Sequence, residues 1–284
     1  MDILIQGILL GGLYALFALG LSLMFGVMRL TNIAHGDFII LSAFLTFALT
    51  SVGLSPWVAV ALTLPVAWVA GYVVQRGVLN GTLGKDPMPS LVVTFGLSIV
   101  VQNFLLEVFS ADPRSIDTGG FSTLSWSVGG GLSVGQLPVL ILLLALVCTI
   151  GLQWLFNYTA LGRAFRAVSD DPEIAALMGL NANKVYALAT ALAFVFIALA
   201  GAMQGMRTTV SPSDGPMLLL FAFEAVIMGG MGSFWGTFIG AILLGVTQQI
   251  GSRIDPGWGI WTGHMVFLIV LVVRPQGLFP KTRG

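Results

Sequence analysis

Nine apolar runs, each close to the length a helix needs to cross a hydrocarbon core of roughly 30 Å, follow one another along this 284-residue chain. They fall at 3–28, 38–52, 57–79, 88–110, 137–157, 185–206, 217–232, 234–251 and 258–273. Lipid offers no partner to a backbone N–H or C=O, so each run has to satisfy those groups within itself, and a helix does so. Charged residues make up 8% of the chain, against about 25% in soluble domains. Nine spans of about 20 residues leave roughly 100 for connections, too few for a separate aqueous domain. The expectation is an all-α polytopic membrane protein, one transmembrane domain over 1–284 with about 8–9 transmembrane helices, Gly-interrupted segments and a short cytoplasmic helix. The runs at 38–52, 217–232, 234–251 and 258–273 are short, and one of them fits a re-entrant segment equally well.

Charge sets the orientation. With the N-terminus outside, nine crossings place Arg29, Arg76, Lys85, Arg163, Arg166, Lys184, Arg274, Lys281 and Arg283 at cytoplasmic ends, and Arg114, Arg207 and Arg253 outside. The positive-inside rule favours that arrangement and puts the C-terminus in the cytoplasm. The loop at 158–184 is then cytoplasmic and the loop at 111–136 external. The first run lacks a basic leader and reads as a retained helix, not a signal peptide. Twelve basic and twelve acidic residues cancel, which argues against a nucleic-acid partner. A single cysteine, Cys148, excludes an internal disulfide and a Cys-based metal site.

Two apolar stretches are interrupted by glycine and polar residues, FGVMRLTNIAHGDF at 25–38 and GGMGSFWG at 229–236. Irregular backbone at membrane depth survives where it is buried in protein or lines a cavity, so such paired breaks point to a transport pathway. Candidate pathway residues are Asn32, His35, Gly36, Asp37, Glu224, Gly229, Gly230 and Gly232. Each has a plainer reading. Asn32 or Asp37 in an interfacial turn can cap the next helix, Gly232, Gly236 and Gly240 form a small-xxx-small packing ridge, and Glu224 can bond another helix. Glu107, near a helix end, is expected to snorkel. His264 is expected to be a hydrogen-bonded packing residue, not a metal ligand.

The most informative aqueous segment is RAFRAVSDDPEIAALMGLNANK at 163–184. Asp171 suits an N-cap, Pro172 the first helical position, Glu173 the positive helix end and Gly179 the C-terminal stop. Ile174, Leu177 and Met178 then share one apolar stripe on a helix outside the bilayer. That stripe packs on the protein's own helix ends, lies on the membrane surface, or enters a groove on a soluble partner.

Catalytic signatures are absent from the sequence. The nearest approach to a phosphate-binding GxxxxGK[ST] loop is Gly84-Lys85, but position 79 is leucine and Asp86 follows the lysine. GLSVG at 131–135 matches a nucleophile-elbow pattern around Ser133, but it lies in a Gly-rich outer loop without a preceding strand. The chain reads as a non-enzyme that cannot hydrolyse ATP alone.

Taken together, LMFGVMRLTNIAHGDF, RAVSDDPEIAALMGLNANKVYALA, EAVIMGGMGSFWGTFIGAILLG and VVRPQGLF strongly resemble the permease subunit of branched-chain amino acid ABC importers. The resemblance covers nearly the whole chain and is to the shorter of the two permeases such systems pair. It implies an importer of a bacterial-type inner membrane with a sister permease or a second copy, two ATP-binding-cassette ATPases and an external substrate-binding protein. It implies that ATP is used by the partners and that this chain binds no cofactor. It also implies that residues 170–179, with Asp170, Asp171, Pro172, Glu173, Ile174, Ala175, Leu177, Met178 and Gly179, form the ATPase-docking helix. Relatives with similar permeases carry urea or short amides and other amino acids, so those substrates remain open. An ion-coupled carrier or channel is the competing class, and it needs several mid-membrane carboxylates where this sequence supplies mainly Glu224.

Overall fold

A computed structural model describes residues 2–84, 86–127 and 133–279. Lys85, Lys281, Arg283 and the Gly131-Leu132 part of the GLSVG match lie outside the described residues. Eleven helices are present among the described residues. In chain order they are α1 (Asp2–Met28), α2 (His35–Ser51), α3 (Pro56–Gly77), α4 (Met88–Phe109), α5 (Gln136–Tyr158), α6 (Ala160–Asp170), α7 (Pro172–Leu177), α8 (Ala182–Arg207), α9 (Gly215–Gly229), α10 (Phe234–Ile254) and α11 (Trp258–Val273). Six are long and apolar enough to cross a membrane, and α2, α9 and α11 are shorter apolar helices. All nine runs of the sequence reappear as helices, and a two-stranded hairpin of Ser125–Ser127 with Ser133–Gly135 lies in the loop before α5.

The helices assort into two triplets of matching lengths. α1, α2 and α3 have 27, 17 and 22 residues, and α8, α9 and α10 have 26, 15 and 21. In each triplet a long helix is followed by a non-helical stretch (29–34 or 208–214), a short helix and another long helix. α1 packs mainly on α10, α3 mainly on α8, and α2 and α9 each lie against the other triplet's long helix. The two triplets run in opposite senses. Along α1 and α8 the order of contacts is reversed: Met28, the last residue of α1, meets Thr190 near the start of α8, and Gly20, a little over two turns earlier in α1, lies against Ala193 and Ile197 further along α8. This is the geometry of an inverted repeat.

Small residues make the close approaches. A Cβ on Gly7 or Gly11 of α1 would meet the α10 backbone at Val246 and Ile242, and one on Gly71 of α3 would meet Phe194 and the Thr190 carbonyl of α8. Without a solvent-driven hydrophobic force inside lipid, such contact is what holds spans together. Polar side chains bridge the same pairs: Thr237 to Ser22 at 2.9 Å and Thr190 to Gln75 at 2.6 Å.

The first break differs from its expected place. His35, Gly36 and Asp37 do not form an interfacial turn; they are the buried first turn of α2. Arg29, in the left-handed region at φ 53°, ends α1 and turns the chain back. Six residues later His35 Nε2 donates to the Phe17 carbonyl at 2.7 Å. Phe17 lies eleven residues before the end of α1, about 16 Å along its axis, so α2 begins near mid-membrane. The second break is also relocated. Its counterpart is the stretch 208–214 before α9, whereas GGMGSFWG is the tight turn joining α9 to α10, with Gly230 and Gly232 at φ 104° and 82°. TTVSPSDG follows a full-length apolar run and therefore reads as an ordinary loop at the end of a span.

The starts of α2 and α9 touch: a Cβ on Gly36 would overlap the Gly215 carbonyl, and one on Gly215 would overlap the Asp37 carboxylate. Gly36→Ala is therefore expected to cost about 2 kcal/mol by overpacking, read as a lower unfolding midpoint in detergent. Gly96→Ala, on an open face of α4, should leave the midpoint unchanged or raise it.

Candidate functional site

The chain between α5 and α8 folds as two helices separated by the extended Asp171. Thr159 caps α6, its Oγ1 accepting from Gly162 N–H at 3.0 Å. Gly162, Phe165 and Val168 fall on one face and are buried, as a helix with polar residues on its other side requires. Phe165 packs on Phe156 of α5 at 5.5 Å, and Phe156 on Phe234 of α10 at 4.8 Å. Ser169 Oγ donates to the Gly26 carbonyl of α1 at 2.8 Å. α6 was not read from the sequence as a helix; its i, i+3, i+6 pattern of Gly162, Phe165 and Val168 was the available signal.

α7 has the ends its sequence specifies. Asp171 Oδ1 accepts from the Glu173 and Ile174 amides at 2.9 and 3.0 Å, and Pro172 occupies the first helical position. Beyond Met178, Gly179 turns left-handed at φ 86°, its N–H donating to the Ala176 carbonyl and that of Leu180 to the Ala175 carbonyl, both at 3.0 Å. This paired closure is a Schellman motif. Ala175 faces inward, while Ile174, Leu177 and Met178 are 60%, 87% and 80% exposed. Asp170 and Glu173 are exposed beside them. Covering each large side chain is worth about 1.5–3 kcal/mol, so α7 is a rigid, capped knob with an uncovered apolar stripe.

The predicted pathway residues separate into three groups. Asn32, His35, Gly36 and Asp37 cluster at the start of α2. Ala34 N–H donates to Asn32 Oδ1 at 3.0 Å, and Asp37 Oδ1 accepts from Gln102 Nε2 at 2.8 Å. Asp37 thus bonds α4 and does not cap its own helix; the N-cap position, Ala34, makes no side-chain cap. The carboxylate sits at the positive ends of two helices, α2 and α9, which favours its charge. Glu224 lies elsewhere, bonded through Oε1 to His264 Nδ1 at 2.5 Å. Gly229, Gly230 and Gly232 form the third group and serve close packing: a Cβ on Gly229 would overlap the Gly236 backbone, and Gly277 closes on Gly230. Gln102, Tyr14, Gln248 and Phe221 join these groups without having stood out in sequence, because a lone polar or aromatic residue inside an apolar run carries no periodic signal. Among the described residues no three His, Cys, Asp or Glu side chains converge as a metal site.

Residues 3–274 match the family model described as branched-chain amino acid transport system / permease component. The chain belongs to this family. It is 27% identical over 292 residues to the high-affinity branched-chain amino acid transport system permease protein BraD of Pseudomonas aeruginosa, covering 98% of this chain and 95% of BraD. It is also 27% identical over 297 residues to the permease protein LivM of Salmonella typhimurium, covering 95% of this chain but 68% of LivM. Among solved structures, PsaBC from Streptococcus pneumoniae in complex with Fab shares the fold, with a TM-score of 0.51 and 13% identity over 97% of this chain and 93% of that one. The family member is therefore a multi-pass inner-membrane transport permease, and its length matches BraD and not the longer LivM.

The cap predicts a local effect. Asp171→Ala should cost α7 about 1 kcal/mol, seen as roughly fivefold faster amide hydrogen exchange over residues 173–177, with exchange in α8 unchanged.

Proposed function

We propose that this chain is the permease subunit of an ATP-binding-cassette importer that carries branched-chain amino acids into the cytoplasm. The observation that carries the reading is α7: a short, doubly capped helix outside the spans whose three large apolar side chains are left uncovered. A soluble partner with a groove fits it, as amphipathic helices fit grooves elsewhere. Two ATPase subunits are the partners proposed for that surface, with a sister permease beside this chain and an external binding protein delivering substrate. This chain binds no nucleotide. The substrate follows BraD and LivM, both named for branched-chain amino acid transport.

Orientation follows from charge. The end bearing α7 carries Arg29, Arg76, Arg163, Arg166, Lys184 and Arg274, against Arg114, Arg207 and Arg253 at the opposite end, which supports a cytoplasmic α7, an external N-terminus and a cytoplasmic C-terminus. An ion-gradient carrier is less well supported, since the carboxylates of Asp37 and Glu224 are bonded to Gln102 and His264.

Coupling needs a helix that the partner holds differently in its two states. α7 transmits displacement through α6, whose Phe165 and Ser169 contact α5 and α1. ATP-driven closure of the partners would tilt those helices and switch the cavity between faces.

Leucine uptake into proteoliposomes holding this chain, its ATPases, sister permease and binding protein, each omitted in turn, tests the reading. Uptake is expected to need ATP and every component. Leu177→Asp should lower it at least a hundredfold while membrane insertion is retained; full transport by that variant would remove the docking role, and solute flux through this chain alone would replace the importer by a carrier or channel.

A further inference from the structure

The Glu224–His264 pair has a geometry that helix packing does not require. His264 is the seventh of the sixteen residues of α11, about 9 Å from one end and about 14 Å from the other. Its side chain is 29% exposed, while that of Glu224 is 2% exposed. At comparable depth the outward positions of α3, α4 and α5 are Val66, Ile99 and Val147, which suit lipid. A ring nitrogen open at mid-membrane does not, and polar groups at that depth face a protein interior or a water-filled cavity.

The ring is held rigidly. Nδ1 is bonded to Glu224 Oε1, and the imidazole stacks over Phe221 at 6.4 Å and 21°. Phe221 in turn stacks on Tyr14 at 4.8 Å, and the Tyr14 hydroxyl donates to Gln248 Oε1 at 2.6 Å. Four helices, α1, α9, α10 and α11, therefore fix one side chain whose Nε2 points away from its carboxylate partner. Such an outer carboxylate sets the tautomer of a histidine and orients its working nitrogen.

Net charge decides what that nitrogen offers. A bilayer favours the pair when it is neutral as a whole. With the shared proton in the Nδ1···Oε1 bond two arrangements are neutral, imidazolium with carboxylate and imidazole with carboxylic acid, and they differ only in which side of that bond holds it; a proton on Glu224 Oε2 instead would lie buried with no acceptor. In both, Nε2 carries a hydrogen. The pair thus presents one fixed N–H donor at mid-membrane, a group that bonds an anion.

We propose that the face formed by α9 and α11 lines the substrate path and that His264 Nε2–H donates to the α-carboxylate of the passing amino acid, with Glu224 as its positioning residue. This deepens the importer reading and rests on it. It selects carboxylate-bearing substrates over urea and neutral amides, which lack the anion.

The complete importer in proteoliposomes, supplied with leucine-loaded binding protein, tests the assignment. His264→Phe is expected to lower the maximal uptake rate at least tenfold. His264→Gln, whose amide nitrogen sits near the place of Nε2, should return the rate to within about threefold of the unaltered chain. Equal impairment of the two variants would indicate a packing role and overturn the proposal, as would full activity of His264→Phe. A second readout needs no variant: 4-methylpentanoate, which keeps the carboxylate, should inhibit leucine uptake by the unaltered importer, and isopentylamine, which lacks it, should not; the reverse order would also overturn the proposal. Absence of ATP-driven uptake by the unaltered assembly would fell the importer reading itself, whereas its presence with insensitive variants would fell only the role given to the pair.

Discussion

Two short helices begin inside the membrane, and their N-termini meet. The contact of Gly36 with Gly215, with Asp37 lying against both starts, is the constraint on which the arrangement of the other spans depends. Each break exposes helix N–H groups that lipid cannot satisfy. Placing the two ends together beside a buried carboxylate sets a negative charge against both positive helix ends, and Gln102 from α4 donates to one of that carboxylate's oxygens. The long helices then have fixed duties. α1 and α8 supply the walls against which the broken segments fold back, and α10 and α3 close over those walls through glycine-mediated contacts.

The end of the molecule that carries α7 is tied to the same frame. Ser169 of α6 bonds the Gly26 carbonyl, Gly26 lies against Gly232 in the α9–α10 turn, and Gly277 after α11 closes on Gly230. Backbone meets backbone at the two glycine joints, and one short serine side chain makes the third, so little side-chain rearrangement can absorb a displacement of α6. Motion imposed on α7 passes into helix positions. The caps of α7 serve the same end, because a frayed helix would dissipate load that a closed one transmits.

Much of this was legible in the sequence, for identifiable reasons. The nine spans followed from apolar run length, since lipid enforces helix wherever the run is long enough. α7 was legible residue by residue, because Asp171, Pro172 and Gly179 act locally and their effects do not depend on tertiary context. The break at 29–34 was visible because polar Asn32, His35 and Asp37 interrupt apolar sequence, but its depth was not: an interfacial turn and a mid-membrane start use the same residues, and only the bond from His35 to the Phe17 carbonyl separates them. The matching break at 208–214 was missed because it reads as an ordinary loop at the end of a span. Cross-helix partners such as Gln102 for Asp37 and His264 for Glu224 lie 65 and 40 residues away in sequence, and no local pattern encodes them.

The distribution of polar groups then separates the static parts of the permease from those able to move. Hydroxyl and amide bridges such as Thr237–Ser22, Thr190–Gln75 and Thr46–Thr63 join long helices or tie a short helix to one, and bind no charge. The two carboxylates buried at membrane depth both involve short helices, Asp37 on α2 and Glu224 on α9. A neutral bridge in lipid can exchange partners at modest cost, whereas stripping a buried carboxylate of its partner costs several kcal/mol. The short helices are thereby confined to displacements that carry their polar partners with them. The Glu224–His264 bond so ties α9 to α11, and the Asp37–Gln102 bond α2 to α4, while α11 packs mainly on α10 and α2 mainly on α8, so that a displacement of a short helix is passed into the long-helix pairs of α1 with α10 and α3 with α8.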